Sequence, residues 1–256
     1  MVKRLLLTAV VVVLFISIWW GVAAVAGSAL LPTPGQVFSA LLGIVTAPNG
    51  WMHIGITTYR VVAGTIIGSV AGTVLGIATR YSTLIETTVR TVVYPVLQSV
   101  PSICWALVFV LWFGLSNATP VLTVAVAIAP FFMINVWEGM KELDLGLIEM
   151  AGVYTRRRGP VLAKVIAPML YPYAFAATKS SFMTAWKIII PAEIFGATSG
   201  MGYMLSLAFE SYRISQVFGW TLAFAIILIS FDHGLFNYVD RRYMRKWKPA
   251  ELKSSA

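Results

Sequence analysis

The chain has 256 residues, of which 59% are hydrophobic and 11% charged, and its mean hydropathy is +0.82. A soluble domain carries about 25% charged residues, so this composition excludes a water-soluble globular protein and predicts one membrane domain over residues 1–256. The net charge of +9 does not indicate nucleic-acid binding, because the basic residues lie between apolar runs, as in the cytoplasmic loops of membrane proteins.

Six apolar stretches approach the roughly 20 residues that a helix needs to cross the hydrocarbon of a bilayer. They run from Leu5 to Ala26, Val61 to Ile77, Val92 to Phe113, Pro120 to Trp137, Pro172 to Phe195 and Phe218 to Tyr238. We therefore predict an all-α, polytopic membrane protein with about six transmembrane helices. The first stretch also has features of a cleavable secretory signal, since Lys3 and Arg4 precede it. Its length, together with Trp19 and Trp20, favours a retained helix.

The lysines and arginines predict the orientation in the membrane. If the N-terminus is cytoplasmic, 15 of the 19 basic residues fall on the inside, and Arg60 and Arg213 fall on the outside. Lys179 and Lys187 lie within the fifth stretch. We therefore predict a multi-pass protein of the inner (plasma) membrane with both termini in the cytoplasm.

Two shorter features concern packing and the outer surface. After a Pro-rich break, the segment from Gln36 to Val45 is predicted to form a short helix on the outer side. In the second stretch, glycines recur every four residues, at Gly64, Gly68, Gly72 and Gly76. On a helix these glycines form one smooth face that another backbone can approach closely. This pattern predicts helix packing, with a pore-lining role as the alternative.

No catalytic constellation is recognisable in the sequence. The two histidines, His53 and His233, lie in different regions, and no pair of histidines shares a helix face with a glutamate. A Gly-x-Ser-x-Gly nucleophile motif and a phosphate-binding glycine loop are also absent. The chain is therefore not expected to be an enzyme or to hold a cofactor or metal. If ATP drives it, another chain must bind the ATP.

The segment 141–172, between the fourth and fifth stretches, is too polar to cross a membrane. It carries an apolar or small face at helical spacing, formed by Leu145, Ile148, Ala151 and Gly152. A short amphipathic helix on the cytoplasmic side is expected, and such a helix can dock in the groove of a partner. The alternative is a helix lying in the lipid interface, held there by Arg156, Arg157 and Arg158.

This segment resembles the cytoplasmic EAA loop of ABC importer permeases. In that loop, Glu-Ala-Ala is followed by three residues, a glycine, nine residues and Ile-x-Leu-Pro. The corresponding residues here are Glu149-Met150-Ala151, Thr155 and Val165-Ile166-Ala167-Pro168. Glycine at position 155 would permit a left-handed turn. With threonine there, the turn could shift to Gly152 or Gly159.

Further segments are similar to the nitrate/sulfonate/taurine/bicarbonate branch of these permeases, and they extend the resemblance over nearly the whole chain. They are His53 to Gly64, Pro95 to Pro101, Leu111 to Leu115, Ala185-Trp186, Ala192-Glu193 and Gly196 to Tyr203. The resemblance implies a type I importer permease. Two permease chains, here favoured as a homodimer, form the path, two ATPase subunits bind beneath them, and an extracytoplasmic binding protein delivers the substrate. It assigns the coupling role to Glu149, Ala151, Gly152, Thr155, Val165 and Pro168.

Polar groups within transmembrane stretches are costly and usually face water or the protein interior. The candidates for the translocation path are Gln98, Ser102, Thr184, Trp186, Lys187 and Glu193. Lys187 could attract an anion, or it could extend toward the membrane surface. Glu193 could pair with a lysine, with Arg213 or with Arg60.

The resemblance implies transport of a small anion such as a sulfonate, nitrate or bicarbonate, although some relatives carry uncharged or aromatic vitamin precursors. The alternative function is an ion- or proton-coupled secondary transporter. Such a protein would need coupling groups in the middle of the membrane and often shows inverted repeats, which the sequence does not.

Overall fold

The computed structural model describes residues 2–27, 30–143, 145–155 and 158–236, and this part of the chain is helical, with no strand. The helices are α1 (Val2–Ala26), α2 (Pro34–Thr46), α3 (Pro48–Ala78), α4 (Thr83–Thr88), α5 (Tyr94–Ser99), α6 (Ser102–Phe113), α7 (Ala118–Lys141), α8 (Leu145–Tyr154), α9 (Arg158–Val161), α10 (Ala167–Gly196), α11 (Met201–Glu210) and α12 (Ile214–Ser230). Wider π-type turns at Val89–Val93 and Leu162–Ile166 join α4 to α5 and α9 to α10, and a third, Phe231–Phe236, follows α12. The predicted all-α class is confirmed.

Among the described residues, three helices are long and apolar enough to cross a membrane: Leu6–Ala26, Pro48–Ala78 and Ala118–Lys141. Two bent pairs bring the number to five if each pair is one span. They are Thr83–Ser99 with Ser102–Phe113, bent by 87°, and Gly159–Tyr171 with Tyr173–Gly196, bent by 56°. The sixth predicted stretch corresponds to α12, an apolar helix of 17 residues. Its predicted end, Tyr238, lies outside the described residues.

Two boundaries differ from prediction. The second span begins at Pro48 rather than Val61, which places Arg60 inside α3 instead of in an outer loop. Polar residues had suggested a boundary there, but their side chains are buried within the protein. The third span is broken between α5 and α6, where Val100 is extended and Pro101 follows it. A residue before proline is disfavoured in a helix, which accounts for the break.

The chain divides into two compact units, the first formed by Met1–Thr57 and Ser199–Ile229 and the second by Thr58–Thr198 and Ser230–Ala256. In the first unit, α2 starts with a capping box in which Thr33 and Gln36 bond reciprocally across the first turn. Its buried face consists of Val37, Leu41 and Ile44. The short helix predicted from Gln36 to Val45 is therefore confirmed.

Also in the first unit, two side chains of α3 cap the start of α11. The backbone N–H of Gly200 donates to Nδ1 of His53 at 3.0 Å, and that of Met201 donates to Oγ1 of Thr57 at 2.8 Å. The first amides of a helix have no partner within it, so these bonds satisfy donors that would otherwise be buried without acceptors. Gly200 has a φ of 106°, a conformation that glycine adopts without strain.

In the second unit, the glycine face of α3 lies directly against α7. A Cβ atom placed on Gly64 would come within 2.8 Å of the Val121 carbonyl oxygen, and one on Gly68 within 2.5 Å of the Ala125 carbonyl oxygen. One on Gly72 would overlap the Ala129 carbonyl oxygen. The predicted packing role of these glycines is confirmed.

Gly72→Ala is expected to destabilise the protein by about 1–3 kcal/mol, because the added methyl group forces two backbones apart. Alanine favours a helix over glycine by up to about 1 kcal/mol, which offsets only part of this loss. The matched control is Gly55→Ala on the same helix, where a Cβ meets no atom within 4 Å. Thermal unfolding in detergent compares the two variants. Equal melting temperatures would contradict the tight contact between α3 and α7.

Candidate functional site

A buried ion pair joins the helices of the second unit near the end of α10. Nη1 of Arg60, on α3, lies 2.7 Å from Oε1 of Glu193, on α10, and the two side chains are 1% and 0% exposed. Nε and Nη2 of Arg60 donate to Oδ1 of Asn117 at 3.0 and 2.6 Å. Asn117 immediately precedes α7. One guanidinium therefore ties α3, α10 and the start of α7 together.

The sequence left a lysine, Arg213 and Arg60 as possible partners of Glu193, and the structure shows the ion pair with Arg60. Asn117 was not among the predicted site residues. An asparagine just before a helix is a common N-cap, but this one is 57 positions from Arg60, and no local pattern reveals such a contact.

The buried face of α10 also holds Trp186, which is 0% exposed. Its ring lies 6.3 Å from that of Phe182 and 5.5 Å from that of Phe231, measured between centroids. Trp186 and Glu193 are seven residues apart on one face of the helix, the face that packs against other helices of the same unit. In this single chain they belong to the helix-packing layer.

The opposite face of α10 is polar and open. Ser180 and Lys187 are exposed, and Thr184 is half-buried. Positions i, i+4 and i+7 share one side of a helix, so these three side chains form a single row. The hydroxyls of Ser180 and Thr184 donate to backbone carbonyls one turn earlier. Lys187 pairs with no carboxylate among the described residues. The structure therefore separates Lys187 from Trp186 and Glu193.

The remaining predicted path residues lie at the break between α5 and α6. Gln98 is exposed near the end of α5, and Ser102 is half-buried at the first position of α6. No side chain caps α6, and the amide of Cys104, at its third position, donates to the carbonyl of Pro101 at 2.9 Å. Helix α10 packs against α6, which places this break in the same group of helices as the row on α10.

The segment predicted to be a short amphipathic helix forms the helix α8, but it is not clearly one-sided, since its apolar residues Met150, Val153 and Tyr154 are exposed. Glu149 is exposed and Ala151 is half-buried, and the amide of Thr155 donates to the Ala151 carbonyl at 3.0 Å at the end of the helix. Gly152 and Gly159 both lie within helices, and neither has a positive φ. The suggested shift of the turn to one of these glycines is therefore wrong. Residues 156 and 157, between α8 and α9, lie outside the described residues.

An apolar cluster connects the segment after α8 to α7. It consists of Val136, Met140, Leu143, Ile166 and Leu170, each less than a tenth exposed. Val165, half-buried, and Pro168, exposed, flank Ile166 at the turn into α10. A displacement of this turn would therefore be transmitted to the ends of two membrane helices, because packed side chains resist compression.

Comparisons with known proteins identify the relatives of this chain. The family model for the binding-protein-dependent transport system inner membrane component matches residues 64–244. The permease SsuC of Bacillus subtilis (strain 168), named for aliphatic sulfonate transport, is 29% identical over 96% of this chain and 87% of its own length. Its namesake in Escherichia coli (strain K12) is 30% identical, with 90% of this chain and 88% of that protein covered.

Among solved structures, the MetNI methionine ABC transporter in an inward-facing conformation contains a similar chain. The TM-score is 0.59 at 17% sequence identity, over 78% of this chain and 94% of the other. At this identity the likeness concerns the fold, which is that of a type I importer permease.

Proposed function

Because the chain belongs to the family of binding-protein-dependent transport system inner membrane components, we propose that its cargo is an aliphatic sulfonate or a similar small oxyanion. The protein is a multi-pass permease subunit of an ABC importer in the inner membrane, and it works with an ATPase, a substrate-binding protein and a second permease chain. The observation that carries the substrate proposal is the nearly full-length similarity to two permeases named for aliphatic sulfonate transport. Family membership decides against the alternative of an ion-coupled secondary transporter.

The depth of Lys187 supports an anionic cargo. Lys187 is nine residues from the end of α10, or about 14 Å along the axis, and fourteen residues from the bend at Tyr173, or about 21 Å. A lysine at the centre of a transmembrane helix costs about 2.5–3.5 kcal/mol when it faces lipid. We infer that the row Ser180, Thr184 and Lys187 faces water and the second permease chain, across which the cargo passes.

The break between α5 and α6 contributes complementary groups. The N-terminus of α6 carries the partial positive charge of the helix dipole, which favours an anion, and no side chain caps it. Gln98 and Ser102 supply neutral donors beside it. We therefore assign Gln98, Ser102, Thr184 and Lys187 to the lining of the path. Trp186 and Glu193 belong to the layer behind it, where they hold α10 in position.

For the coupling segment, we propose that α8 docks in a cleft of the ATPase and transmits nucleotide-driven closure. The residues proposed for this role are Glu149, Ala151, Gly152, Thr155, Val165 and Pro168. Glu149 and the apolar side chains of Met150, Val153 and Tyr154 are exposed on α8, which leaves them accessible to a partner. The apolar cluster around Ile166 provides the stiff connection that such a mechanism requires.

We further propose the orientation of the chain in the membrane and the subunit composition of the path. Both termini lie in the cytoplasm, as the excess of lysine and arginine in the predicted inner segments indicates. Two identical chains form the path, and the two compact units are parts of one permease domain, residues 1–256. An exposed lysine in the polar row on α10 would be costly in lipid, which is consistent with a second chain covering it.

Lys187→Ala is expected to reduce uptake of a radiolabelled alkanesulfonate at least about tenfold in cells that also hold the cognate ATPase and binding protein. The reason is that a cation in a low-dielectric path is lost. Lys187→Arg, which keeps the charge, should retain most of the uptake. Lys179→Ala, the matched control on the same helix, should leave uptake nearly unchanged. Undiminished uptake by Lys187→Ala would remove the assignment of Lys187. A cargo found to be neutral would remove the substrate proposal.

A further inference from the structure

A basic and aromatic cluster lies at one end of α7. Helix α7 has 24 residues and is therefore about 36 Å long, whereas the hydrocarbon of a bilayer is about 30 Å thick. Its last residue, Lys141, thus falls at the level of the lipid headgroups. Trp137 lies one turn earlier on the same face.

Two cations share the ring of Trp137. Nζ of Lys141 lies 3.4 Å from the ring centroid, and Cζ of Arg90, in the turn between α4 and α5, lies 4.5 Å from it. The indole Nε1–H donates to Oε1 of Glu86 at 3.3 Å. Cation–π contacts favour this arrangement, and the N–H groups that do not point at the ring can still donate to an acceptor.

These N–H donors are largely unused. Within the described part of the chain, neither Arg90 nor Lys141 has a hydrogen-bond acceptor, and the ion pair between Arg90 and Glu86 is 3.9 Å long. Glu138, within α7, and Glu142, just after its end, form no ion pair with either cation among the described residues. The two cations on this ring are accompanied by one ion-paired carboxylate, that of Glu86 beside Arg90, so an anion within reach of either cation would be stabilised.

The cluster opens into a cleft of about 240 Å³. The cleft is lined by Val89, Arg90, Tyr94, Met133, Ile134 and Trp137. Its walls are apolar side chains, and its polar groups are the guanidinium of Arg90 and the phenol of Tyr94. A charged rim beside an apolar cleft at headgroup depth matches a molecule with an anionic head and an alkyl tail. A soluble phosphate would meet the rim but would leave the apolar cleft unfilled.

We propose that Arg90 and Lys141 bind the phosphate of an anionic phospholipid, with the start of an acyl chain in the cleft beside Trp137. The headgroup carries a net negative charge, because a zwitterionic lipid would bring an ammonium group toward the same two cations. The bound lipid would join α7 to the α4–α5 turn and balance the positive charge around Trp137.

Native mass spectrometry of the purified full-length permease tests this site. The protein is titrated with phosphatidylglycerol or phosphatidylcholine in detergent, and bound lipid is counted at each concentration. Arg90→Gln and Lys141→Gln should each weaken phosphatidylglycerol binding about fivefold, and the double variant about 25-fold, since each basic residue at an anionic surface contributes about 1 kcal/mol. Arg80→Gln, an exposed arginine outside the cluster, is the matched control and should bind as the unchanged protein does.

Two further experiments control for misfolding and distinguish a lipid phosphate from a soluble one. Arg90→Lys and Lys141→Arg keep the charges and should keep the binding, so a loss confined to the glutamine variants reports charge rather than misfolding. Competition by inorganic phosphate or glycerol phosphate would assign the cluster to a soluble anion and overturn the lipid proposal. Equal binding of phosphatidylglycerol and phosphatidylcholine, or equal effects of Arg80→Gln and Arg90→Gln, would also overturn it.

Discussion

Glu193→Ala is expected to lower the stability of the folded permease by about 3–5 kcal/mol, because it leaves the guanidinium of Arg60 buried without its carboxylate. Loss of the pair would also loosen the connection between α3, α10 and Asn117. The melting temperature in detergent and the amount of monodisperse protein after heating measure this effect.

Two companion variants sharpen this test. Glu210→Ala removes a glutamate that is exposed and bonded to Ser206 on the surface of α11, and it should change stability by less than about 0.5 kcal/mol. The double variant Arg60→Met/Glu193→Leu removes both charges together and should recover most of the loss, because apolar replacement of a buried ion pair is often neutral. A double variant as unstable as Glu193→Ala would show that the pair contributes by some other route.

Ala151→Arg is expected to reduce uptake more than about tenfold while the protein remains in the membrane. A long cation on the half-buried face of α8 would prevent close docking against the ATPase, and nucleotide closure would no longer reach the membrane helices. Immunodetection in membranes measures the amount of permease, copurification measures the retained ATPase, and a cargo uptake assay measures coupling.

The matched control for this variant is Ala163→Arg, the same exchange at an exposed position in the turn that follows α9. It should leave the ATPase bound and uptake largely intact. Normal uptake by Ala151→Arg would count against the coupling role of α8. A similar loss in both variants would show that added charge anywhere in the inner segment disturbs the assembly.

Composition and periodicity were sufficient to predict the helical class, the glycine contact between α3 and α7 and the short helices α2 and α8. These features depend on neighbours in sequence or on one-sided patterns, which a single chain displays directly. Span boundaries were predicted less well. His53, Thr57 and Arg60 suggested an outer segment, but their hydrogen bonds allow α3 to continue through them.

The candidate path was predicted in part. Lys187 and Glu193 were both predicted as path residues because polar groups are costly in a membrane. They are six residues apart, however, and therefore lie on different faces of α10. Only the structure shows that Glu193 is satisfied internally and that Lys187 is exposed. The Trp137 cluster was also not predicted, because it joins residues about fifty positions apart, such as Glu86 and Trp137.

The glycine contact between α3 and α7 has a consequence for how this protein can evolve. Because carbonyl groups of one helix occupy the space of absent side chains on the other, neither helix can accept a larger residue alone. Homologous proteins with a larger residue at the position of Gly68 or Gly72 should therefore carry a compensating substitution near Ala125 or Ala129. The two helices are expected to diverge as a linked pair, while lipid-facing positions drift independently.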